Sequence, residues 1–460
     1  MASGNGVMEK LIDYVSRART TALPPQILLK TKHHILDTLA AMISGSTLKP
    51  GEMALKYAKQ MEGGAREAQV VASNLMLPVI PAAIANGMLG HSDETDDSNG
   101  SAGFHPGCAI LPAALGMAER ENLGGQDVVR AVALGYDIGS RTNKALGRDA
   151  LRARSTLPFS IAGTMGAAAA AGCLAGLTRP EEYRFLFSYA AQQASGVMTY
   201  ARDTEHIEKA FIFGGMPARN GLTAATMVQA GFTGVWDVLS GDNNFFLAFS
   251  DSTRPANPQL MVAELGSRYE MMLTNMKKYC TGFPIQSPME ALRLAVDEHR
   301  FKHPDVEAIE VRIARSGAHT VNDREMPDIN LQYLFAVALL DGNVSFAAAH
   351  DVERMNDPAV RALRSRVKLI GDPSFVEGGH AARVEITLKG GRKITREIES
   401  FRGKADNPMS TEEVEEKARD LIEPVMGAGK TRKLIETVRN LEQLKKIRDL
   451  RPLLSTSAAT

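Results

Sequence analysis

The spacing of apolar residues predicts that the N-terminal part of the chain folds into helices. From residue 6 to about 265, apolar side chains recur every three or four positions, as at Ile27, Ile35 and Leu39, which is the period of a helix with one buried face. Alternating β-branched stretches are almost absent there. The run GAAAAAG at 166–172 consists of small side chains that let helices approach closely. We therefore expect a densely packed, all-helical domain.

The pattern changes after residue 275. Residues 306–317 (VEAIEVRIARSG) and 382–400 alternate in the two-residue period of strands, and the second stretch is interrupted at 389–392 by Lys-Gly-Gly-Arg, which is typical of a hairpin turn. Ser410 and Glu413 then form a capping box, after which helical spacing resumes. We predict a mostly α protein with two domains: a helical domain (1–268 plus 406–460) and a smaller α+β domain (269–405).

Composition narrows the choice of partners and compartment. The 53 basic and 53 acidic residues cancel, so no overall field favours nucleic acid or an anionic membrane, and we expect neither as a partner. Cys108, Cys173 and Cys280 form no CxxC pair, which argues against a disulfide framework and a zinc site. The first ten residues, MASGNGVMEK, lack the apolar core of a secretory signal. We expect a soluble, cytoplasmic protein.

The densest polar cluster is GHSDETDDSNGSAGFHPG at 90–107, after an apolar helical run. If the helix continues through this segment, His91, Glu94 and Ser98 share one face, because they are three and four residues apart. That face would form one wall of a polar pocket. The alternative is a solvated acidic helix end, although negative charge there opposes the helix dipole.

His105 precedes Pro106, which favours an extended His105 and a helix that starts at the proline. Free backbone N–H groups at that helix start would attract a substrate carboxylate, and the histidine beside it can transfer a proton near neutral pH. The alternative is that His105 only caps the helix.

Lys209 lies ahead of Gly214, Gly215 and Pro217 in HIEKAFIFGGMPARNG. A lysine beside a glycine-opened helix start is a second candidate carboxylate site. An exposed lysine is usually only a solvated charge, but the flanking phenylalanines, including Phe213, favour partial burial.

Two other kinds of site are weakly represented. The Gly-Lys-Thr at 429–431 lacks the earlier glycine of a phosphate-binding loop, since Pro424 occupies its place. Metal binding by His91, Asp93, Asp96 and Asp97 is an alternative, but their spacing fits neither a calcium loop nor a zinc HxxxH pair. We expect no metal, no nucleotide and no other cofactor.

Taken together, several motifs resemble the MmgE/PrpD family, the group of 2-methylcitrate dehydratases, cis-aconitate decarboxylases and iminodisuccinate epimerases. The resemblance covers nearly the whole chain. Its most specific pieces are HSDETDDS before HPG, GTMGAAAAAGCLAGL, EKAFIFGGMPARNGLTAATMVQAGFTG, KKYCTGFPIQ and LQYLFAVALLDG. It implies a large helical domain with an inserted α+β lid domain, commonly assembled as a homodimer.

By position, the resemblance matches His105, Lys209 and Tyr333 to family residues, whereas Glu94 and Ser98 stand where the family has aspartate and threonine. This chain also departs from the family. Leu157 and Gln286 stand where members often carry histidine, and Phe213 replaces a polar residue. The site is therefore expected to be less basic and more apolar than one for a tricarboxylate.

The resemblance implies a cofactor-free, dehydratase-like lyase that transfers a proton next to a carboxylate of a small polycarboxylate or related acid. Epimerase or isomerase activity, decarboxylation, and a non-catalytic binding protein remain alternatives. We expect His105 to transfer the proton and Glu94 or Asp97 to assist it. The other expected roles are carboxylate binding by Lys209, Gly214 and Gly215, orientation by Ser98, Tyr279 and Gln286, and proton donation by Tyr333.

Overall fold

The computed structural model describes residues 6–456, so the ends of the predicted helical domain and part of the stretch used to predict its compartment lie outside the described residues. The chain is mostly helical, as predicted. Its α-helices are α1 (Val7–Arg17), α2 (Pro25–Gly45), α3 (Lys49–Gln60), α4 (Val79–Gly90), α5 (Pro106–Arg120), α6 (Gly125–Leu146), α7 (Arg148–Ala153), α8 (Pro158–Leu174), α9 (Pro180–Gln193), α10 (Ile207–Ala210), α11 (Met216–Gln229), α12 (Phe245–Phe249), α13 (Gln286–His299), α14 (Arg315–Val321), α15 (Leu331–Asp341), α16 (Phe346–Ala349), α17 (Pro358–Arg364), α18 (Thr411–Arg439) and α19 (Arg451–Leu454).

Strands are few and short. They are β1 (Ala68–Gln69), β2 (Met76–Leu77), β3 (Val306–Ile313), β4 (Val367–Gly371), β5 (Ala382–Leu388) and β6 (Lys393–Ile398). By its contacts the chain divides into two compact units. The first unit contains Met1–Ser92, Asp96–Asn275 and Thr411–Thr460, and the second contains Asp93–Thr95 and Met276–Ser410. The boundaries derived from the sequence, after 268 and 405, stay a prediction.

The first unit is built around α8. The alanine run of this helix is fully buried, and α5, α6 and α11 pack against it. A Cβ on Gly166 would lie 2.6 Å from the carbonyl oxygen of Gly135 in α6, and one on Gly135 would lie 2.8 Å from that of Gly166. Only glycine allows the two backbones to come this close. The alanine and glycine run therefore serves close helix packing, as the sequence indicated.

The second unit contains a four-stranded sheet in the order β4-β3-β5-β6. Strands β3 and β4 are parallel, while β5 is antiparallel to both β3 and β6. The turn predicted at 389–392 is confirmed, since Gly390 and Gly391 have φ of 91° and 84° and join β5 to β6. Alternate residues of β5 are buried, and they pack with α13 and α15 in one apolar core.

The described residues include no helix that is long and apolar enough to cross a membrane.

Candidate active site

The polar segment that follows α4 is not helical. Helix α4 ends at Gly90, and α5 begins at Pro106. The expected face shared by His91, Glu94 and Ser98 therefore does not form. Local side chains compete with the helix: the His91 ring bonds to Asp96, and the Asp93 carboxylate accepts the backbone N–H of Thr95 at 3.0 Å. Such bonds offer the backbone an alternative to helical pairing.

Asp96 joins two histidines in the first unit. Its Oδ1 lies 2.9 Å from Nδ1 of His105, and its Oδ2 lies 2.9 Å from Nδ1 of His91. Burial opposes ionisation of Asp96, but the two histidines outweigh it and hold its pKa well below the usual value. Burial lowers the pKa of His91, against the opposing effect of Asp96. An ionised, fully buried carboxylate is thus the acceptor for both rings.

This arrangement selects which nitrogen of His105 can act on a substrate. Because Asp96 is ionised, Nδ1 of His105 carries the hydrogen and Nε2 has the free lone pair. The His105 side chain keeps 12% of its surface exposed, whereas those of Asp96 and His91 are fully enclosed. His105 also has the extended backbone predicted from Pro106, with φ −103° and ψ 97°. Of the two histidines, His105 is the more accessible to a substrate.

Aromatic and apolar side chains form the wall beside this pair. The Phe213 ring stacks on His91 and on Phe159, each at 4.5 Å between centroids, and lies 5.6 Å from the His105 ring. Leu157 belongs to the same apolar cluster. The two positions at which the sequence departs from the family toward apolar residues are therefore on one wall, next to the histidines.

Lys209 lies at this wall, with its Nζ 5.4 Å from the centre of the Phe213 ring. His105 and Lys209 thus both flank Phe213. The lysine lies close enough to His91 for its charge to lower the pKa of that histidine, though less than burial does. The structure brings the predicted proton-transfer group and the predicted carboxylate anchor together within the first unit.

The predicted helix start at Gly214 and Gly215 is wrong. Helical structure runs on from α10 through a π-helical turn at Phe211–Gly215 into α11, so these glycines do not open a new helix start. A Cβ on Gly214 would lie 2.0 Å from the carbonyl oxygen of Gly87 in α4. The glycine pair permits a close helix contact, and its role in substrate binding remains a prediction without the support of a helix start.

Asp97 holds the start of α5. Its Oδ1 accepts the Gly107 backbone N–H at 2.9 Å, and its Oδ2 accepts the Tyr136 hydroxyl at 2.7 Å and contacts His34 Nδ1 at 2.6 Å. The Gly107 N–H at the helix start, expected to be free for a substrate, is therefore occupied by the protein's own carboxylate. The next residue, Ser98, forms an antiparallel backbone bridge with Asn275.

The remaining predicted residues lie in the second unit. Lys277 is fully buried, and its Nζ donates to the Glu94 carbonyl at 2.6 Å and lies 3.2 Å from the Glu94 carboxylate. The Gln286 amide bonds to the backbone of Tyr279 and Thr281. The Tyr333 hydroxyl donates to the Ala348 carbonyl at 2.6 Å. Gln286 and Tyr333 thus have internal partners.

His350 makes a buried ion pair with Asp93 in the second unit. Its Nε2 lies 3.0 Å from Asp93 Oδ2, and its Nδ1 lies 2.8 Å from the Phe346 carbonyl oxygen. The Phe346 carbonyl only accepts hydrogen bonds, so Nδ1 carries a hydrogen, and the nearby Asp93 carboxylate favours a second hydrogen on Nε2 and therefore the charged ring. Burial favours the neutral ring, but Asp93 outweighs burial and raises the pKa of His350 to about 9.

Sequence reasoning considered Asp96 only as a possible metal ligand, and it overlooked Lys277 and His350 as candidate functional residues. The available signals were a carboxylate five residues from His91 and a lysine in the KKYCTGFPIQ motif. Neither signal identifies the residue that Asp96 or Lys277 contacts, because each contact depends on the path of a loop in the folded chain.

The donor atoms of His91, Asp96 and His105 lie within 4.8 Å of one another, and two imidazoles with a carboxylate are ligands that divalent metals accept. In the observed arrangement, however, both Nδ1 atoms hydrogen-bond to the carboxylate. A nitrogen that donates a hydrogen has no lone pair for a metal. These two hydrogen bonds are typical of an acid–base group, and they exclude a metal site built from Asp96 and both Nδ1 atoms. The Nε2 atoms keep their lone pairs.

The fold and the cluster define a mostly helical protein with a carboxylate-oriented histidine beside a lysine. The model of the MmgE/PrpD N-terminal domain matches residues 9–257, and that of the MmgE/PrpD C-terminal domain matches residues 279–443. The chain belongs to the MmgE/PrpD family.

Characterised relatives agree with this assignment. Human cis-aconitate decarboxylase is 26% identical over 94% of this chain and 91% of its own length. The cis-aconitate decarboxylase of Aspergillus terreus is 25% identical over 98% and 96%, and the cis-aconitate decarboxylase-like protein oryM of Aspergillus oryzae is 25% identical over 98% and 97%. The family and these relatives indicate an enzyme of the dehydratase or decarboxylase type.

Proposed function

We propose that the protein is a lyase that eliminates water or CO2 from a small polycarboxylate or related acid by proton transfer next to a carboxylate, without a metal or organic cofactor. The observation that carries the proposal is the Asp96–His105 hydrogen bond, which leaves Nε2 of His105 as the reactive nitrogen. The cis-aconitate decarboxylases among its relatives support the same class of substrate.

The same residues serve both eliminations. In decarboxylation, the C–C bond electrons pass to the substrate carbon as CO2 leaves, and protonated His105 delivers a proton to that carbon. In dehydration, neutral His105 removes the proton next to the carboxylate, the C–H electrons form the double bond, and the substrate hydroxyl leaves as water after a second group protonates it. In either reaction negative charge develops near the carboxylate, where Lys209 supplies a fixed positive charge.

The wall around His105 bears on the choice of substrate. Phe213, Phe159 and Leu157 supply apolar surface where a third carboxylate would require charged or polar partners. We therefore propose that the natural substrate carries fewer charges than a tricarboxylate, or an alkyl group on the side that meets Phe213. This proposal makes cis-aconitate a poorer substrate than a dicarboxylate analogue.

Two features of the family are carried over as part of the proposal. Substrate binding by Ser98, Tyr279 and Gln286, and proton transfer by Glu94 and Tyr333, are proposed roles of these residues. The enzyme is proposed to work as a homodimer. Chromatography coupled to light scattering tests the second point, and a monomer at micromolar concentration would contradict it.

The central experiment incubates the purified protein in D2O with cis-aconitate, 2-methylcitrate and alkyl-substituted dicarboxylates, and follows them by NMR. Loss of water, loss of CO2 and exchange of a proton for deuterium give different spectra. His105→Asn is the inactive comparison, and His319→Asn, an exposed histidine, is the matched control. An absence of both turnover and deuterium exchange across this panel would contradict the proposal.

A second test concerns cofactors. Activity should survive exhaustive treatment with EDTA, since the proposed step needs only proton transfer by Nε2 of His105 and the charge of Lys209. Loss of activity with EDTA and its recovery with one divalent ion would overturn the metal-free mechanism.

A further inference from the structure

A cavity of about 510 Å³ lies in the first unit, between α1, α6 and residues 262–269. This volume is in the range of small-molecule sites. None of the cavity's lining residues belongs to the His91, Asp96 and His105 cluster or to the apolar wall beside it. The cavity is therefore separate from the candidate active site.

The body of the cavity is apolar and partly aromatic. Leu23, Leu134 and Val262 line it together with the rings of Tyr14 and Tyr269. The Tyr269 ring packs with Ile27 in a small apolar cluster. Tyrosine rings offer flat faces against which a ring or an alkyl chain packs well.

The residues that line the cavity include more positive than negative charges. Lys10, Arg17 and Arg130 face a single carboxylate, Asp13, and this carboxylate pairs with Arg17 one helical turn away. Two cations, Lys10 and Arg130, therefore remain after this pairing. The surplus of positive charge favours an anionic ligand.

Arg130 provides the more specific signal. Its Nη1 donates to the Arg19 carbonyl at 2.8 Å, but its Nε is buried and has no hydrogen-bond partner among the described residues. Because this Nε has almost no exposed surface, a ligand carboxylate would pair with the guanidinium end of Arg130, a side chain that is only partly buried. A carboxylate and a guanidinium form a charge-assisted pair.

The Tyr14 hydroxyl has an internal partner. It bonds to Asp137, and the Asp137 carboxylate also pairs with Arg141 at 3.0 Å. Burial is the main cause that raises the pKa of Tyr14, and the Asp137 charge adds to it. The Tyr14 hydroxyl hydrogen is used by Asp137 and does not donate to a ligand carboxylate, whereas the Arg130 guanidinium attracts one. The apolar part of the ligand therefore faces Tyr14.

We propose that this cavity binds a small organic anion with a flat apolar body, such as an aromatic carboxylate, whose carboxylate pairs with Arg130 while its ring packs between Tyr14 and Tyr269. The site is additional to the one at which the reaction takes place. The proposal does not depend on the identity of that reaction.

The test uses 2-naphthoate as the probe and 2-naphthylmethanol as its neutral counterpart, with titration calorimetry on the full-length protein. The parent should bind naphthoate saturably at one site. Its affinity for the alcohol should be lower by about 10-fold or more. Arg130→Gln should weaken naphthoate binding by about 10-fold or more, and Arg130→Lys by less. Arg66→Gln, an exposed arginine that does not line the cavity, should bind as the parent does.

Two further variants keep the result interpretable. Lys10→Gln removes an exposed lining charge, and Leu265→Trp fills the cavity from its partly exposed side. Both should weaken binding while circular dichroism shows an intact fold. An absence of saturable binding to the parent would overturn the proposal. The proposal would also be overturned if the parent, Arg130→Gln and Leu265→Trp bound naphthoate with equal affinity. A crystal soak that located naphthoate elsewhere would overturn it too.

Discussion

Oδ1 of Asp96 lies 2.9 Å from Nδ1 of His105, and this contact determines the chemistry available at the candidate site. A buried, ionised carboxylate fixes the tautomer and orientation of the ring. Asp97, the next residue, has a different task, since it is bonded to the start of α5, to Tyr136 and to His34. We therefore propose that Asp96 serves catalysis and Asp97 serves structure, and this separation can be tested.

His105→Asn should lower kcat by about 10²-fold or more with little change in KM, because a positioned acid or base acts mainly in the transition state. Asp96→Asn should cause a loss of similar size, since the amide favours the wrong ring tautomer. The double variant should be hardly worse than either single one, because both residues serve one step. Steady-state kinetics on the best substrate measure all three. Additive losses would mean that Asp96 and His105 act in separate steps.

Lys209→Met should raise KM and lower kcat together, reducing kcat/KM by about 10-fold or more, because a charge-assisted contact to a carboxylate exists in both ground and transition states. Lys56→Met, an exposed lysine of α3, is the control and should match the parent. If Lys209→Met changes kcat alone, the lysine acts on the reacting bond and is not a carboxylate anchor.

Asp97→Asn should mainly destabilise the fold, by about 2 to 4 kcal/mol, because it weakens several buried hydrogen bonds at once. Urea unfolding gives the change in free energy, and kcat measured on the folded fraction should remain within a few-fold of the parent. Asp149→Asn is the control, since the Asp149 side chain is 84% exposed, and it should be neutral. Equal stability of Asp97→Asn and the parent would show that the Gly107 and Tyr136 contacts contribute little.

The features that the sequence could predict have local causes. Pro106 alone makes His105 extended, and two adjacent glycines alone favour the turn at 389–392. The role of Asp96 could not be predicted, because its two histidine partners depend on the path of the loop after Gly90. Gly214 was misinterpreted for a similar reason. The sequence does not reveal which backbone packs against this glycine, and its contact, Gly87, lies far away along the chain.

The C-terminal helix should be needed for the first unit. In α18, the Nζ of Lys417 donates to Asp37 Oδ1 of α2 at 2.6 Å, and both side chains are almost fully buried. A fragment that ends at residue 405 leaves Asp37 buried without this cation, so we expect insoluble protein. Lys417→Met should cost about 3 to 5 kcal/mol in urea unfolding, whereas Lys433→Met, exposed on the same helix, should cost little. A soluble, folded 1–405 fragment would contradict this account.

His350 should make the stability of the second unit depend on pH. Its pKa is raised from 6.5 to about 9 by Asp93, with a smaller contribution from Asp328, against the opposing effect of burial. A raised pKa means that the folded state binds the proton more tightly than the unfolded state. The stabilisation is therefore complete below pH 6.5 and is lost as the pH rises through about 9. Its full size is about 3 kcal/mol, from about 1.4 kcal/mol for each pH unit between the two values.

Unfolding of the parent should accordingly become easier between pH 7 and pH 10, and His350→Gln should flatten this part of the curve. Glutamine can still donate to Asp93 but does not titrate, so the variant should be weaker than the parent at pH 6 and should approach it at pH 10. His319→Gln removes an exposed histidine of the same unit and should reproduce the parent curve. Urea unfolding followed by circular dichroism at each pH measures the effect. If the parent and His350→Gln lose stability in parallel across this range, the His350–Asp93 pair is not the group that titrates, and the charged ring inferred from its two acceptors is wrong.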